Sequence, residues 1–582
     1  MRIVLFVIAA MIAAFALFAF RFDKQQKQAA VSSRLTEFKK KNIIRCSTDW
    51  EALKQWLEEA EIPPIPGAGI YKWKISTKND SAQFYFNQGI NMYYSFHIIE
   101  AMASFKKAAK FDERSAILHW AQALAYGPNI NDYGYRASPE ALAALSKAKE
   151  FSSTASSFER ELIDAMSVRY TADSADATRA QLNEAYTGMM KKVYEKFLNN
   201  ADAMALYVDA MMLQHPWDLW LVDGTPKPWT PHIREVLEKL LVKSPMHPGA
   251  NHYYIHVMEP SPYAAKALAS AERLGKTNPG LAHVVHMPSH IYLRTGLYQK
   301  GVDVNINAVD RYKSSIPLYA AVAGNDFIYI IHNLHMKTNN AMLLGNYKIA
   351  QAAALETRES IPREYLSLPA PIGNLAQYIY MTPVFNQIRF GRWDEILQEP
   401  QPDKSHIYRN VIYHFARSAA FSRKDDRNAA SKELDAMREF MKDSSLSIPM
   451  SPFSAASVGA NVAHYLLLGV IHEDKRLYDG AIKYYKMADS VETSMVYNEP
   501  RDWLLSPKHF LGNAYLLKGD FASAEKVFKK DLLNNNENGW ALYGLYKALL
   551  FQRNNKEAVK VLARYKTAFS NADVKLSSSI IP

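Results

Sequence analysis

Cysteine is almost absent from this chain of 582 residues, which contains only Cys46. A single cysteine excludes an internal disulfide and leaves no Cys-x-x-Cys pair for haem attachment or for a thiolate metal site. The chain also lacks a phosphate-cradling glycine loop and a Ser/His/Asp order of the hydrolase type. Nucleotide-dependent and nucleophilic enzyme classes therefore have no positive support in the sequence.

Acidic residues are outnumbered by basic ones, giving a formal net charge of +11, but the excess lies at the N-terminus. Residues 1–45 contain nine Lys and Arg against Asp23 and Glu37, which leaves only about +4 for the remainder. A nucleic-acid groove needs a basic surface on the folded body. The sequence therefore predicts no nucleic-acid partner.

Polar residues are missing from one early segment, Ile3 to Phe20. Its eighteen consecutive apolar residues are enough to cross a bilayer and exceed the hydrophobic stretch of most cleaved signals. No small-x-small cleavage site follows. We interpret residues 1–24 as an N-terminal membrane anchor, with a cleaved signal as the alternative.

Residues 25–80 are basic at first and later contain Pro63, Pro64 and Pro66. Proline restricts both itself and the preceding residue to conformations outside the helix. We therefore expect a stalk of mostly extended chain between the anchor and the folded body.

Strand-like alternation of useful length is missing from the body, residues 81–575. A helical pattern recurs instead, in which a glycine or polar turn precedes an aromatic residue and then small residues at fixed offsets. Gly519, Phe521, Ala524 and Phe528 are one instance, and the pattern returns at Ala558 after 34 residues. It resembles the tetratricopeptide repeat. We predict an all-α fold, a right-handed α-solenoid of paired helices.

Histidine is abundant: eight of the 17 histidines lie between residues 247 and 335. His252 and His256 are four residues apart, which places them on one face of a helix. The spacing of His283, His286 and His290 does the same on a second helix. Neutral imidazoles from neighbouring helices are common transition-metal ligands. The candidate ligands are His252, His256, His283, His286, His290, His332 and His335.

Carboxylates near these histidines are the candidates for catalysis. Glu259 lies one turn beyond His256, while Glu499 and Asp502 lie in a later loop that can reach a histidine-lined face. Imidazole ligation favours copper or zinc, and iron becomes a candidate if Glu259 or Asp326 joins the ligands. The competing interpretation is that the histidines are hydrogen-bonded fillers between helices.

Several segments resemble a bacterial family of long tetratricopeptide-repeat proteins. They read His-Pro-Gly-Ala-Asn-His-Tyr-Tyr-Ile-His (247–256), His-Met-Pro-Ser-His-Ile-Tyr (286–292), Pro-Trp-Asp-Leu-Trp (216–220), His-Asn-Leu-His (332–335) and Asn-Gly-Trp-Ala-Leu (538–542). The similarity covers about residues 80 to 570. A further similar segment, 497–503, departs from the family pattern at Arg501.

This family has no settled activity, so the resemblance implies the helical-repeat fold and little about function. Its members commonly look exported, which implies a body on the periplasmic side of the membrane. The basic residues that follow the predicted anchor favour the cytoplasmic side instead under the positive-inside rule.

Two functional hypotheses follow. In the first, a membrane-anchored scaffold binds a protein, peptide or glycan on its concave face, where a histidine-rich site can also take a transition metal. In the second, the histidines hold copper, zinc or iron in a metal-dependent hydrolase or oxidoreductase. Further binding contacts are expected from His247, Trp217, Asp218 and Tyr253.

Deleting residues 1–24 tests the predicted anchor. Burial of a long apolar segment in hydrocarbon is strongly favourable, so the full-length protein should sediment with membranes. The shortened protein should remain in the soluble fraction with a helical far-UV spectrum. Recovery of full-length protein from a membrane-free extract would contradict an uncleaved anchor.

Overall fold

The computed structural model describes residues 48, 50–59, 61–131, 135, 137–173, 175–316, 327–450 and 453–582. The predicted anchor, Cys46 and the candidate ligand Asp326 lie outside these residues. Among the helices of the described ranges, none combines the length and the apolar character needed to span a membrane.

The described part of the chain forms α-helices and no β-strand; its only strand-like pairs are two isolated bridges. The helices are α1 (Trp50–Glu59), α2 (Asp80–Tyr93), α3 (Ile98–Phe111), α4 (Ala116–Tyr126), α5 (Pro139–Glu150), α6 (Ser157–Met166), α7 (Arg179–Lys196), α8 (Ala201–Gln214), α9 (Thr230–Lys243), α10 (Pro248–Met258), α11 (Leu268–Thr277), α12 (Ala282–His286), α13 (Pro288–Thr295), α14 (Tyr298–Ser315), α15 (Asn333–Leu344), α16 (Tyr347–Glu359), α17 (Ile372–Tyr380), α18 (Thr382–Arg389), α19 (Trp393–Leu397), α20 (Ile407–Arg423), α21 (Arg427–Phe440), α22 (Ala456–Asp474), α23 (Tyr478–Thr493), α24 (Pro507–Lys518), α25 (Phe521–Asn534), α26 (Gly539–Phe551) and α27 (Asn555–Ala568).

Consecutive helices pack against each other as pairs, for example α2 with α3, α20 with α21, α22 with α23 and α26 with α27. This arrangement confirms the predicted all-α helical-repeat architecture. Small residues bring the helices close together, as at Phe528 of α25. Its ring fills the space that a side chain at Gly512 of α24 or Gly544 of α26 would occupy.

The expectation of mostly extended chain over residues 25–80 is wrong for residues 50–59, which form α1. Trp50, Leu53 and Leu57 recur at helical spacing and are all buried. The Trp50 ring lies 4.9 Å from that of Tyr126 on α4. Burial of this apolar face against the body stabilises a helix that the polar composition of the segment does not suggest.

Two large hydrophobic clusters make up the core. One is drawn from residues between Trp50 and Tyr312, and the other from residues between Val302 and Ile580. Most of the histidines between residues 247 and 335 fall on the first cluster's helices, whereas Glu499 and Asp502 come from the second half of the chain. The candidate site therefore lies where the two halves of the chain meet.

The C-terminal helices return to the middle of the chain and cover it. Arg294 Nη1 donates to the carbonyl oxygen of Asn534 at 2.8 Å, and Tyr298 Oη donates to that of Asn536 at 2.6 Å. Trp540 Nε1 donates to the carbonyl oxygen of Met342 at 2.8 Å. The histidines that we expected on the concave face of the repeats are largely buried, as at His252, His256 and His286.

Replacing Gly544 with Ala should destabilise the helix packing around Phe528. The added Cβ would lie 2.3 Å from the Phe528 ring, and a fully buried ring has little room to move. We expect a loss of about 1–3 kcal/mol in the free energy of unfolding, measured by urea denaturation.

Gly188→Ala is the matched control. Gly188 is exposed on α7, and an added Cβ meets no atom of the described residues within 4 Å. This change should leave stability unchanged or raise it by about 0.5–1 kcal/mol through helix propensity. Equal effects of the two substitutions would contradict the close approach at Phe528.

Candidate metal centre

Helix α10 presents the first histidines to the interior. Pro248 occupies its first turn, where the missing N–H costs no hydrogen bond, and every residue of the helix is buried. His252 and His256 are one turn apart and face the same way. Their Nε2 atoms are 3.1 Å apart.

The second run of histidines spans the junction of α12 and α13. Pro288 begins α13 immediately after Met287, so the chain bends between His286 and His290. The bend still brings the two Nε2 atoms to 2.8 Å from each other.

Two groups of three histidines result, each with ligand atoms within 4.8 Å of one another. The first group contains His252, His256 and His283. The second group contains His286, His290 and His332. His332 ends a π-helical turn, Phe327–His332, a conformation that is frequent at functional sites.

The outward nitrogens of His252 and His286 are hydrogen-bonded to oxygen. His252 Nδ1 lies 2.7 Å from the carbonyl oxygen of Tyr94, so this nitrogen carries the proton and donates it. His286 Nδ1 lies 2.6 Å from Asn305 Oδ1. The Asn305 amide is oriented by its own Nδ2, which donates to the carbonyl oxygen of Gly301 at 2.7 Å. In both histidines the inward Nε2 is left with a lone pair.

Glu259 connects the two groups. It is fully buried, and its Oε1 lies 3.1 Å from His256 Nδ1 while its Oε2 lies 2.6 Å from His290 Nδ1. Glu499 Oε2 lies 2.6 Å from the same His290 nitrogen. Histidine that binds a metal through one nitrogen usually directs the other at a carboxylate or carbonyl in this way.

The two facing pairs are His252 with His256 and His286 with His290. A count of protons shows what each pair needs between its Nε2 atoms. If every Nδ1 donates to its oxygen, each inward Nε2 is an acceptor, and two acceptors about 3 Å apart repel each other. Either an additional proton or a cation between them removes the conflict. Two imidazoles bound to one ion at about 2.0–2.1 Å each would stand at a similar separation. The pair geometry is therefore compatible with a shared metal.

His283 gives a separate indication that the first group binds a ligand. Its side chain is buried, and neither ring nitrogen has a hydrogen-bond partner among the described residues. Its ring centroid lies 5.1 Å from that of His252. A buried polar group without a partner costs about 1–3 kcal/mol, so a ligand on His283 would remove a real penalty.

Four of the six histidines are in the protonation state that binds a metal, whereas His290 must first lose a proton. Burial, reinforced by the neighbouring imidazoles, lowers the pKa of four histidines well below the usual 6.5: His252, His283, His286 and His332. These rings are neutral at pH 7, which is the form that binds a metal. Burial also works against charge on His290, but Glu259 and Glu499 outweigh it and raise the His290 pKa to about 10.

A cavity of about 160 Å³ opens beside the two groups. His256, His283, His290 and His332 line one side of it together with Glu499. Both groups of histidines therefore border the same space, and each group has only three protein ligands. A three-ligand site next to a cavity is the usual arrangement of a metal that also binds a small molecule.

The chain is a helical-repeat protein. No protein-family model matches it, and no curated protein does either. Solved structures with similarity include human IFIT1 in a dimer with m7Gppp-AAAA, at 13% identity and a TM-score of 0.31, covering 89% of this chain and 99% of that one. Yeast Tom70 has 11% identity and a TM-score of 0.28, covering 91% and 97%. Values this low carry no argument about ligands or function.

Two aromatic residues with left-handed backbones pack on the centre. Trp217 has φ +62°, and its ring meets that of His256 edge-on at 5.2 Å. Phe96 has φ +55°, and its ring lies within 6 Å of those of His252, His256 and His283. Strained backbone of this kind persists where the surroundings enforce it and is concentrated at functional sites.

The other predicted residues are placed in two ways. His335 and Asp502 line the cavity but belong to neither group; the His335 ring packs on Tyr378, and Asp502 accepts a hydrogen bond from Asn498 Nδ2 at 2.8 Å. The remaining three lie away from the cavity. Asp218 is exposed and pairs with Lys227. His247 caps α10 by accepting a hydrogen bond from the Ala250 N–H. Tyr253 packs against the rings of Phe96 and Tyr94.

Phe96, Asn305 and the Tyr94 carbonyl were not foreseen from the sequence. A backbone carbonyl has no sequence signal, and Tyr94 is 158 positions from the His252 that it orients. Asn305 follows Gly301 by one turn of α14, but this spacing is common on any helix. Only the packing of α2 and α14 against the histidine helices reveals these partners.

Asp502→Asn should stabilise the metal-free protein in a pH-dependent way. Burial raises the pKa of Asp502 from about 3.8 to about 6, so its ionised form is disfavoured in the folded state. Above pH 6 the parent carries this penalty and the variant does not, which corresponds to a gain of about 1–3 kcal/mol. At pH 4 the folded carboxyl is protonated and the unfolded one is only partly ionised, so most of the gain should vanish.

The measurement is thermal unfolding of parent and variant with a chelator present, at pH 4 and pH 8. Asn keeps the oxygen that accepts from Asn498, so the local hydrogen bond is preserved. A gain that is equal at both pH values, or larger at pH 4, would contradict a buried and strained carboxylate at this position.

Proposed function

We propose that this helical-repeat protein binds transition metal ions at two adjacent three-histidine sites, one formed by His252, His256 and His283 and the other by His286, His290 and His332. The observation that carries the proposal is the pair of Nε2 contacts, at 3.1 and 2.8 Å, between histidines whose other nitrogens face oxygen. The helical-repeat scaffold itself suits a binding role, because stacked helices hold side chains from distant repeats rigidly in place.

The donor set narrows the identity of the metal. Six imidazoles favour copper or zinc among the available divalent ions. Glu259 lies close enough to His256 and His290 to orient both, and its carboxylate would also suit iron. The two groups contain no cysteine among the described residues, so thiolate ligation does not enter the choice of metal.

A metal-dependent enzyme is the second candidate, and the cavity is the observation that favours it. Each site has three protein ligands, which leaves a coordination position for water or substrate. Zinc would supply Lewis-acid chemistry for a hydrolase, whereas copper or iron would supply electron transfer for an oxidoreductase. Burial raises the pKa of Glu499 to about 7, with Glu259 adding to the effect, so Glu499 can accept or return a proton near neutral pH.

The wider setting of the protein is proposed from the sequence. A membrane attachment through residues 1–24 and a periplasmic body remain parts of the proposal, as does a protein, peptide or glycan partner on the outer surface of the repeats. None of these is needed for the metal centre, which depends only on described residues.

His256→Ala tests the metal proposal directly. This residue belongs to the first group through Nε2 and is linked to Glu259 through Nδ1. The parent protein, purified and then equilibrated with Zn²⁺, Cu²⁺ or Fe²⁺, should contain about two ions per chain by elemental analysis. The variant should lose at least one of them, and added metal should raise the thermal midpoint of the parent more than that of the variant.

His247→Asn is the matched control, because His247 is also buried and lies on the same helix. Asn is a favourable N-cap, so the cap on α10 should survive and metal content should equal that of the parent. If the histidines are only fillers, His256→Ala should cost about 1–3 kcal/mol through the lost packing and unpaired neighbours. Metal content would then be near zero in all three proteins, and the proposal would be rejected.

A further inference from the structure

Apart from the histidines, most of the residues that line the cavity are apolar. An apolar wall is formed by Leu375 and Ile379 of α17, Met450 and Phe453 of the loop before α22, and Met495. Tyr378 and Tyr408 extend this wall, and their rings stack on each other at 18° and 6.1 Å. The cavity therefore has a polar, metal-facing floor and an apolar wall, two surfaces that recognise different parts of one molecule.

The two surfaces also differ in exposure. His256, His283 and His290 are buried at the floor, whereas Met450, Phe453, Met495 and Leu375 are only partly buried. A molecule that entered past these partly exposed residues would reach the floor with its leading end. Its trailing part would then remain against the apolar wall.

The volume sets the size of the ligand. A cavity of about 150 Å³ lined by aliphatic and aromatic side chains accommodates benzene. The present cavity, at about 160 Å³, has room for one ring or a short branched chain and a small head group.

Charge identifies the head group. The acidic side chains near the floor are Glu499 and Asp502, which line the cavity, and Glu259, which contacts His256 and His290. Two divalent ions would bring four positive charges against these three carboxyl groups and leave a net positive floor with open coordination positions. An anionic oxygen donor matches such a floor, and it also matches zinc, copper and iron alike.

We infer that the cavity binds a small amphipathic ligand, an aromatic or branched-aliphatic carboxylate or a related oxygen donor, with its head on the histidine-lined floor and its body against the wall of Leu375, Ile379 and Tyr378. This inference rests on the proposed metal function for the head group. The recognition of the body rests on the apolar wall alone.

Two probes with the same head separate these contributions. Benzohydroxamate and acetohydroxamate both bind metals through two oxygens, but only the first carries a ring. Isothermal titration of the full-length protein, metal-loaded and metal-free, gives the affinity of each. Burial of the ring should make benzohydroxamate at least about tenfold tighter than acetohydroxamate in the loaded protein. The same preference should persist at lower affinity in the metal-free protein.

Ala456→Phe locates the binding. Ala456 lines the cavity at the start of α22 and is only partly buried, so a phenyl group can enter the cavity without displacing the core. It should abolish the preference for benzohydroxamate and leave metal content unchanged. Ser457→Phe is the matched control: this neighbour is also partly buried but does not line the cavity, and the preference should survive. Leu375→Asn, which keeps the cavity open and makes its wall polar, should reduce the preference several-fold.

The outcomes are distinguishable. Equal affinities of the two probes in metal-loaded protein would overturn the inference and leave the metal function standing. A preference that persists in both Ala456→Phe and Leu375→Asn would place the ring elsewhere and also overturn it. If no metal binds, the proposed function fails, and the preference measured in the metal-free protein still decides whether the apolar wall recognises the ligand.

Discussion

The candidate centre depends on one buried carboxylate. Glu259 lies at the C-terminal end of α10, fully buried, and reaches a histidine of each group. Burial alone would raise its pKa, but His290 and His256 outweigh burial and lower it to about 2. A charge held in this way is strongly destabilising unless its partners remain in place. Glu259 therefore couples the geometry of the two histidine groups. If either group shifted, the buried carboxylate would lose one of its histidine partners.

This coupling explains why the helices around the centre are so fully buried. All of α10 is removed from solvent, and the junction between α12 and α13 is packed beneath α14. The hydrogen bonds of Arg294 and Tyr298 to the chain around residues 534–536 hold the C-terminal helices over this region. An open solenoid would leave the histidines in water, where their pKa values would return towards 6.5 and protons would compete with metal. The closure provides the low-dielectric environment in which the imidazoles stay neutral.

The cavity joins this polar centre to the second hydrophobic cluster. Its floor comes from α10, α12 and α13, and its wall comes from α17 and the chain before α22. Each half of the protein thus contributes one of two unlike surfaces. Ligand cavities are commonly found at such junctions, because neither half alone can enclose the space. The rigid helix pairs of the repeat scaffold fix both surfaces at one separation.

The amino-acid pattern by itself determined the helical-repeat fold and most of the histidines of the centre. Helical spacing is a local property, so the shared faces of His252 with His256 and of His286 with His290 were predictable from chain position. The expectation for residues 25–80 was wrong in one place: residues 50–59 were expected to be extended, but their apolar residues form a buried helical face. The binding roles expected for His247, Asp218 and Tyr253 stay predictions, and these residues do not line the cavity. Tertiary structure alone decided that the two histidine groups meet and that Glu259 connects them. It also decided that Glu499 reaches His290 from 209 positions away, and that Tyr94 and Asn305 orient the rings. These contacts depend on how distant helix pairs stack, and no local periodicity encodes the distance between two faces.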